Sequence, residues 1–161
     1  MKIQKLFLSF CLLPLFSIAQ TESPESIVKA CLDILSGPAG EKVDTAKLKF
    51  LFLPEARFMV LQNKKDGSTM YKSFSVEEFL ASGGNEVRKD DFSEIELGKA
   101  IDVYNGLAQV FQAYKVKQGD FEAEGINSYQ LIFHQDRWWV ANIVWTSDRN
   151  GVKVPPRYRE N

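Results

Sequence analysis

The sequence predicts an α+β domain, with helices in the first half of the chain and an antiparallel sheet in the second. Two observations support this prediction. Helix start and stop signals recur up to residue 84, and hairpin turns with alternating apolar residues dominate from Phe92 onward. A length of 161 residues fits one such domain.

Three N-terminal helices are predicted from their capping residues and from the glycines and prolines that end them. The third is the best marked, because Ser75 and Glu78 have the spacing of a capping box. The predicted helices run from Ser23 to Gly37, from Asp44 to Pro54 and from Ser75 to Gly83. Two short strands, at 56–62 and 69–73, are expected between the second helix and the third.

The first hairpin of the sheet is predicted at Asn105-Gly106, a pair that two-residue type I′ turns prefer. Such a turn makes its flanking residues cross-strand partners and sets the register outward from it. One face, which includes the pair Leu97/Tyr114, is then apolar except in its middle, where it holds the pair Lys99/Gln112. The opposite face holds the opposite-charge pairs Glu96/Lys115 and Glu94/Lys117 and is expected to be solvated.

Gly98 leaves an alternative open for this hairpin. A lone glycine within a strand often marks a β-bulge, and a bulge moves every residue beyond it to the other face. Lys99 lies on the turn side of Gly98 and keeps its orientation in both cases. A bulge would break the pairing of Leu97 with Tyr114 and would reverse the orientation of the two glutamates.

A second hairpin is predicted around the turn His134–Arg137, with Phe133 opposite Trp138. One face is again apolar with a polar middle, formed by Asn127, Tyr129 and Asn142. The other face is apolar enough to pack against something else, such as a second subunit. Its expected interface residues are Ile126, Ile132, Trp139, Ile143 and Trp145.

Polar side chains within an apolar sheet face must be hydrogen-bonded or must line a wet cavity. This requirement predicts a ligand pocket on the concave side of the sheet. The expected pocket residues are Lys99, Gln112, Tyr114, Asn127, Tyr129 and Asn142.

The stretch GINSYQLIFHQDRWWVANIVWTSD at 125–148 follows three helices and a strand excursion. With that order of elements it resembles the NTF2-like superfamily, which includes SnoaL-like cyclases, ketosteroid isomerases and scytalone dehydratases. The resemblance covers the chain after its first twenty residues. It implies a cone with a ligand cavity between three N-terminal helices and a curved mixed or antiparallel sheet. It also implies homodimers formed through the sheet.

No residue matches a catalytic position of these families, so no catalytic residue is assigned. Asp102 is the one acid well inside a strand, and it becomes a candidate only if the register slips at a bulge. His134 is the single histidine and lies in a turn, where a structural, solvated role is expected. Cys31 lies on the apolar stripe of the first helix and is expected in the core. Neither a metal site nor a cofactor is expected.

The first nineteen residues have the features of an export signal, with Lys2 and Lys5 before an apolar run and cleavage expected after Ala19. The domain is then expected at 20–148 and a polar C-terminal tail at 149–161. A secreted or periplasmic location is expected, with no membrane span after cleavage. With 20 basic and 21 acidic side chains, the chain lacks the basic surface that nucleic acid requires.

Three functions remain open from the sequence. The favoured one is a non-catalytic module that binds a small, partly apolar molecule in the cone. The second is a dimeric interaction domain that uses the outer sheet face. The third is a SnoaL-like or isomerase-like enzyme, which would need a cavity acid with a raised pKa.

Overall fold

A computed structural model describes residues 21–84 and 87–159, so the expected signal peptide lies outside the described part. The three predicted helices are present: α1 (Pro24–Leu35), α2 (Thr45–Leu51) and α3 (Val76–Phe79). The α2 helix ends before Pro54, because the chain turns into a strand at Phe52. The α3 helix continues into a π-helical turn at Leu80–Gly84. No helix within the described ranges has the length and apolarity that spanning a bilayer requires.

A six-stranded sheet forms the rest of the domain, in the order β2-β1-β6-β5-β4-β3. Only the β1–β6 pair is parallel, so the sheet is mixed, as the α+β prediction allowed. Its strands are β1 (Phe52–Asn63), β2 (Thr69–Ser75), β3 (Phe92–Tyr104), β4 (Leu107–Gln118), β5 (Phe121–His134) and β6 (Arg137–Ser147).

The helices cover one face of the sheet, which we call the inner face. Helix α1 begins at a reciprocal cap between Ser23 and Ser26 and lies across β3 and β6. It buries Ile27, Val28 and Cys31 completely or nearly so. The core therefore lies between α1, α2 and α3 and the central strands of the sheet.

The register of the first hairpin agrees with the sequence prediction only as far as Gly98. Lys99 pairs with Gln112 and Gly98 with Ala113, but the next pair is Glu96 with Tyr114. Leu97 is thus the extra residue of a β-bulge. The predicted pairs Glu96/Lys115 and Glu94/Lys117 are wrong, and both glutamates face inward with Tyr114 instead of toward solvent.

Two contacts hold β3 in this bulged register. At the start of the strand, the Ser36 hydroxyl accepts a hydrogen bond from the Glu94 amide at 3.0 Å, and Gly37 and Phe92 exchange backbone hydrogen bonds. At the bulge, Gly98 has a φ of +155° and lies under the C-terminal segment. An added Cβ would come within 2.6 Å of the Tyr158 carbonyl oxygen, so glycine is required on both counts.

The second hairpin contains a bulge that the sequence did not mark. The predicted pair Phe133/Trp138 is present and Leu131 pairs with Val140, but Gln130 pairs with Asn142 and Tyr129 with Ile143. Ala141 is the extra residue. Because of it, Asn142 moves to the outer face, and the side chains of Ile143 and Trp145 move to the inner face.

The C-terminal segment, residues 151–159, lies on the outer face of the sheet. Val154 is buried there, and the Tyr158 ring stacks on Phe111 with ring centroids 5.4 Å apart. Arg159 forms an ion pair with Glu124 on β5. The segment therefore covers the outer surface of β3, β4 and part of β5.

Replacing Gly98 by alanine tests the bulge. We expect Gly98→Ala to lower the free energy of unfolding by about 2–5 kcal/mol, because backbone strain adds to the clash with Tyr158. The control is Gly40→Ala, whose φ is +86° but whose Cβ would meet no atom within 4 Å. That control should cost about 1 kcal/mol from strain alone. Urea denaturation measures both, and equal losses in the two variants would contradict the proposed clash.

Candidate functional site

A cavity of about 1040 Å³ opens between the inner sheet face and the helices. This volume lies at the upper end of the range for small-molecule sites. Its wall is mainly apolar and rich in rings, and the cavity is lined by the aromatic side chains Phe58, Phe79, Phe92, Tyr114, Phe121, Tyr129 and Trp145. Five exposed charged residues mark its mouth: Lys64, Lys65, Asp120, Glu122 and Arg149.

Glu94 is the acidic group in the cavity wall that burial affects most. Its carboxyl accepts a hydrogen bond of 2.8 Å from the Asn127 side-chain amide. Burial raises the pKa of Glu94 above its ordinary value, and the hydrogen bond from Asn127 only partly offsets that shift. No lysine, arginine or histidine of the described residues forms an ion pair with this carboxyl.

Two tyrosines flank this pair, and their hydroxyls are already engaged. The Tyr114 hydroxyl donates to the Thr146 carbonyl at 3.2 Å, and its ring lies against Gly125, where a Cβ would clash. The Tyr129 hydroxyl interacts with the Cys31 thiol, and both residues are buried. Burial raises the pKa of both tyrosines, so both remain protonated at neutral pH.

A second polar group lies beside the cavity, on the inner face toward the turn. Lys99 forms an ion pair with Glu96, and the Gln112 amide donates to the same carboxylate at 2.7 Å. Gln112 is fully buried, and its side-chain oxygen has no hydrogen-bond partner among the described residues. These three residues do not line the cavity, so their network supports the wall from behind.

The six residues predicted for the pocket fall into three groups. Tyr114, Asn127 and Tyr129 line the cavity, and Lys99 and Gln112 belong to the adjoining network. Asn142 was placed wrongly: the bulge at Ala141 turns it outward, where it donates to Gln130 at 3.2 Å. Whether the cavity residues bind a ligand stays a prediction.

Glu94 is the residue that the sequence interpretation missed. Counting pairs from the turn placed it on the solvated face. The available signal was Gly98, because a bulge there turns Glu94 inward. An NTF2-like enzyme needs an acid or base that reaches a bound molecule, and Glu94 meets that condition geometrically. Asp102 does not, because it is exposed on the outer face opposite Gln109.

The predicted interface is divided between the two faces. Ile126, Ile132 and Trp139 lie on the outer face, as expected. Ile143 and Trp145 were placed wrongly, because the Ala141 bulge turns them into the cavity wall. The Trp139 ring packs against the Arg137 guanidinium, which lies 3.8 Å from the ring centroid.

His134 is exposed beside the turn at Gln135 and Asp136 and does not line the cavity. Across residues 21–84 and 87–159, no three histidine, cysteine, aspartate or glutamate side chains are grouped so that they could hold a metal ion. Cys31 is buried, which raises the pKa of its thiol and keeps it neutral.

No protein-family model and no curated protein matches the sequence. Solved structures do match the fold. An NTF2-like protein from Cytophaga hutchinsonii is 13% identical, with a TM-score of 0.51 over 75% of this chain and 88% of that one. A cystatin-like protein of unknown function from Nostoc punctiforme is 10% identical, with a TM-score of 0.52 over 77% and 87%. A ketosteroid isomerase candidate from Parabacteroides distasonis is 14% identical, with a TM-score of 0.50 over 86% and 98%.

The chain therefore has the NTF2-like, cystatin-like α+β fold, as its sequence predicted. At these identities the similarity defines the fold and leaves function to be argued from the site.

The raised pKa of Glu94 makes stability depend on pH. A carboxyl whose pKa is raised by folding contributes stability that is complete below its ordinary value of 4.5 and is lost as pH rises through the raised value. Glu94→Gln removes this dependence. We therefore expect the free energy of unfolding of the wild-type protein to fall relative to Glu94→Gln as pH rises above 4.5, measured by urea denaturation.

Glu122→Gln is the control, because Lys115 lowers the pKa of Glu122. The stabilising contribution of Glu122 is lost as pH falls. The difference in free energy of unfolding between the wild-type protein and Glu122→Gln should therefore change with pH in the opposite direction. A difference between wild-type and Glu94→Gln that does not change with pH would contradict the burial of Glu94 described above.

Proposed function

We propose that this protein is an exported, non-catalytic module that binds a small, partly apolar molecule in the cone cavity. The observation that supports it is the combination of a large aromatic-lined cavity with a hydrogen-bonded polar pair in its wall, Glu94 and Asn127. Small-molecule sites commonly combine an apolar wall with a few polar groups that orient the ligand. Export is proposed from the N-terminal lysines and the apolar run that follows them.

Binding is favoured over catalysis by the state of the groups near Glu94. Isomerase-like proton transfer needs a base and a second group that stabilises the developing charge. Tyr114 and Tyr129 are the candidates for that second role, and each hydroxyl already donates to or interacts with a protein group. Glu94 therefore has Asn127 beside it, and neither of these two tyrosine hydroxyls is free to act as the second proton donor.

A cavity variant tests the binding proposal. Val116 and Val103 both lie on the inner face of the first hairpin, but only Val116 lines the cavity. A compound whose free concentration is about a hundred times its Kd stabilises the folded protein by about 2.7 kcal/mol and raises Tm by several degrees. In a thermal-shift screen of small apolar compounds, Val116→Trp should lose this shift and Val103→Trp should keep it.

The protein for that screen is best purified from its own host. Mass spectrometry of the intact protein then tests export, because a mass equal to that of a chain starting at Gln20 supports cleavage after Ala19. Two results would contradict the respective proposals. The absence of a thermal shift across a broad library argues against ligand binding, and an intact mass that retains the first nineteen residues argues against cleavage.

We also propose that the part of the outer face left free by the C-terminal segment forms a homodimer. Leu107 is 59% exposed there, next to Ile132 and Trp139 on the neighbouring strands. Sedimentation at micromolar concentration should show a dimer, and Ile132→Glu should shift it toward monomer because a charge would be buried. Val103→Glu, at an exposed site on the inner face, should leave the dimer intact. A monomeric wild-type protein would contradict this proposal.

A further inference from the structure

We propose that the ligand of the cavity is an organic cation, a protonated or quaternary amine on an apolar body, with the Glu94 carboxylate as its counter-charge. This inference rests on the proposed binding function and names the chemical class of its ligand. It depends on three features of the described residues: a buried acid without a cation, a ring-lined wall, and a hydrogen bond that favours the ionised acid.

Among the residues that the structure describes, no basic side chain supplies a counter-charge to the Glu94 carboxyl. Lys99, a basic residue on the inner face of the same strand, forms its ion pair with Glu96 instead. Lys64, Lys65 and Arg149 lie exposed at the mouth, and no ion pair joins any of them to Glu94. A buried carboxylate is stable only when it is paired, so a cationic ligand would supply the missing partner.

Asn127 prepares this carboxyl for a cation. Its amide nitrogen donates to Glu94 Oε1 at 2.8 Å, and a donated hydrogen bond favours the ionised form. Oε2 receives no hydrogen bond from a described residue and is not among the fully buried atoms that lack a partner. It is therefore the oxygen available to a ligand N–H donor or ammonium group.

The wall opposite Glu94 suits an apolar cation better than an anion. Phe58 and Phe79 stack with ring centroids 4.2 Å apart, and Trp145 meets Phe79 edge-on at 6.2 Å. Ring faces attract ammonium groups through their quadrupole, and the rings of Phe92, Phe121 and Trp145 line the cavity without being fully buried. An anionic ligand would be repelled by Glu94.

Among the described residues, four titratable groups lie around Glu94 on the elements that pack beside it. They are Cys31 from α1, Glu96 from β3, Tyr114 from β4 and Tyr129 from β5. Burial raises the pKa of the thiol and of both phenols, so these three groups stay neutral, and Glu96 is held by Lys99. Glu94 is thus the group whose ionisation the ligand controls: a cation that binds displaces the proton of Glu94.

Three probes of the same shape test this inference: phenylbutylammonium, phenylbutanol and phenylbutyrate. Isothermal titration calorimetry is run in acetate and in MES, neither of which is a simple organic cation, at the same pH, below the pKa of Glu94 found from the stability comparison. We expect the ammonium probe to bind at least about tenfold more tightly than the alcohol. Its binding should release about one proton from Glu94, which makes the measured binding enthalpy depend on the buffer. The affinity should also rise about tenfold for each pH unit until the pH reaches that pKa.

Glu94→Gln should weaken ammonium binding by at least about tenfold and abolish proton release. Its affinity for phenylbutanol should stay unchanged, which shows that the variant is folded with an open cavity. Glu122→Gln, which removes a carboxylate at the mouth, makes the same change in net charge. It should affect the ammonium probe less than about twofold, because exposed charges interact weakly.

The outcomes separate this inference from the proposed function. If the alcohol or the carboxylate binds as tightly as the ammonium probe, the inference of a cationic ligand is contradicted, and the proposal that the cavity binds a small molecule remains supported. Equal loss of ammonium binding in Glu94→Gln and Glu122→Gln also overturns the inference, because general charge attraction then explains it. If none of the three probes binds, the cation inference fails, and the thermal-shift screen decides whether the cavity binds anything.

Discussion

Strand β3 is fixed at both of its ends, and the chemistry of the cavity depends on how it spans the distance between them. The Asn105-Gly106 turn sets the register at one end. The Ser36 hydroxyl and the Gly37–Phe92 bridge set it at the other. The segment between has one residue more than regular pairing can use, and the bulge before Gly98 accommodates it. As a consequence Glu94 faces the cavity.

This arrangement conflicts with simple hydrophobic patterning. A regular register would bury Ile95 and expose Glu94, whereas in the structure Ile95 is 53% exposed and Glu94 is partly buried in the cavity wall. Burying an isoleucine side chain is worth about 1.5–3 kcal/mol, and an unpaired carboxyl costs free energy to bury. Natural proteins depart from local consistency mainly at functional sites. The conflict at β3 is therefore an independent reason to place the site at Glu94.

Local signals predicted much of the fold. The capping box at Ser75, the Asn105-Gly106 turn and the α+β order all act over a few residues, and each is present. The faces of the long strands could be predicted only up to the first bulge. At Gly98 the sequence carried a warning, but the contact that requires glycine comes from Tyr158, sixty residues away in the chain. At Ala141 no residue type marked the bulge, so Asn142, Ile143 and Trp145 were assigned to the wrong faces.

The position of β3 at the end of the sheet has an evolutionary consequence. A central strand is held by two neighbours, and a change in its spacing would disturb both ladders. β3 pairs along its length with β4 alone, so an insertion, a deletion or the loss of Gly98 would alter one strand ladder and leave the pairing among the other five strands unchanged. Relatives with different spacing in this strand would present an isoleucine, a serine or a glutamate to the same space. Ligand preference could then diverge within one scaffold through changes in this single segment.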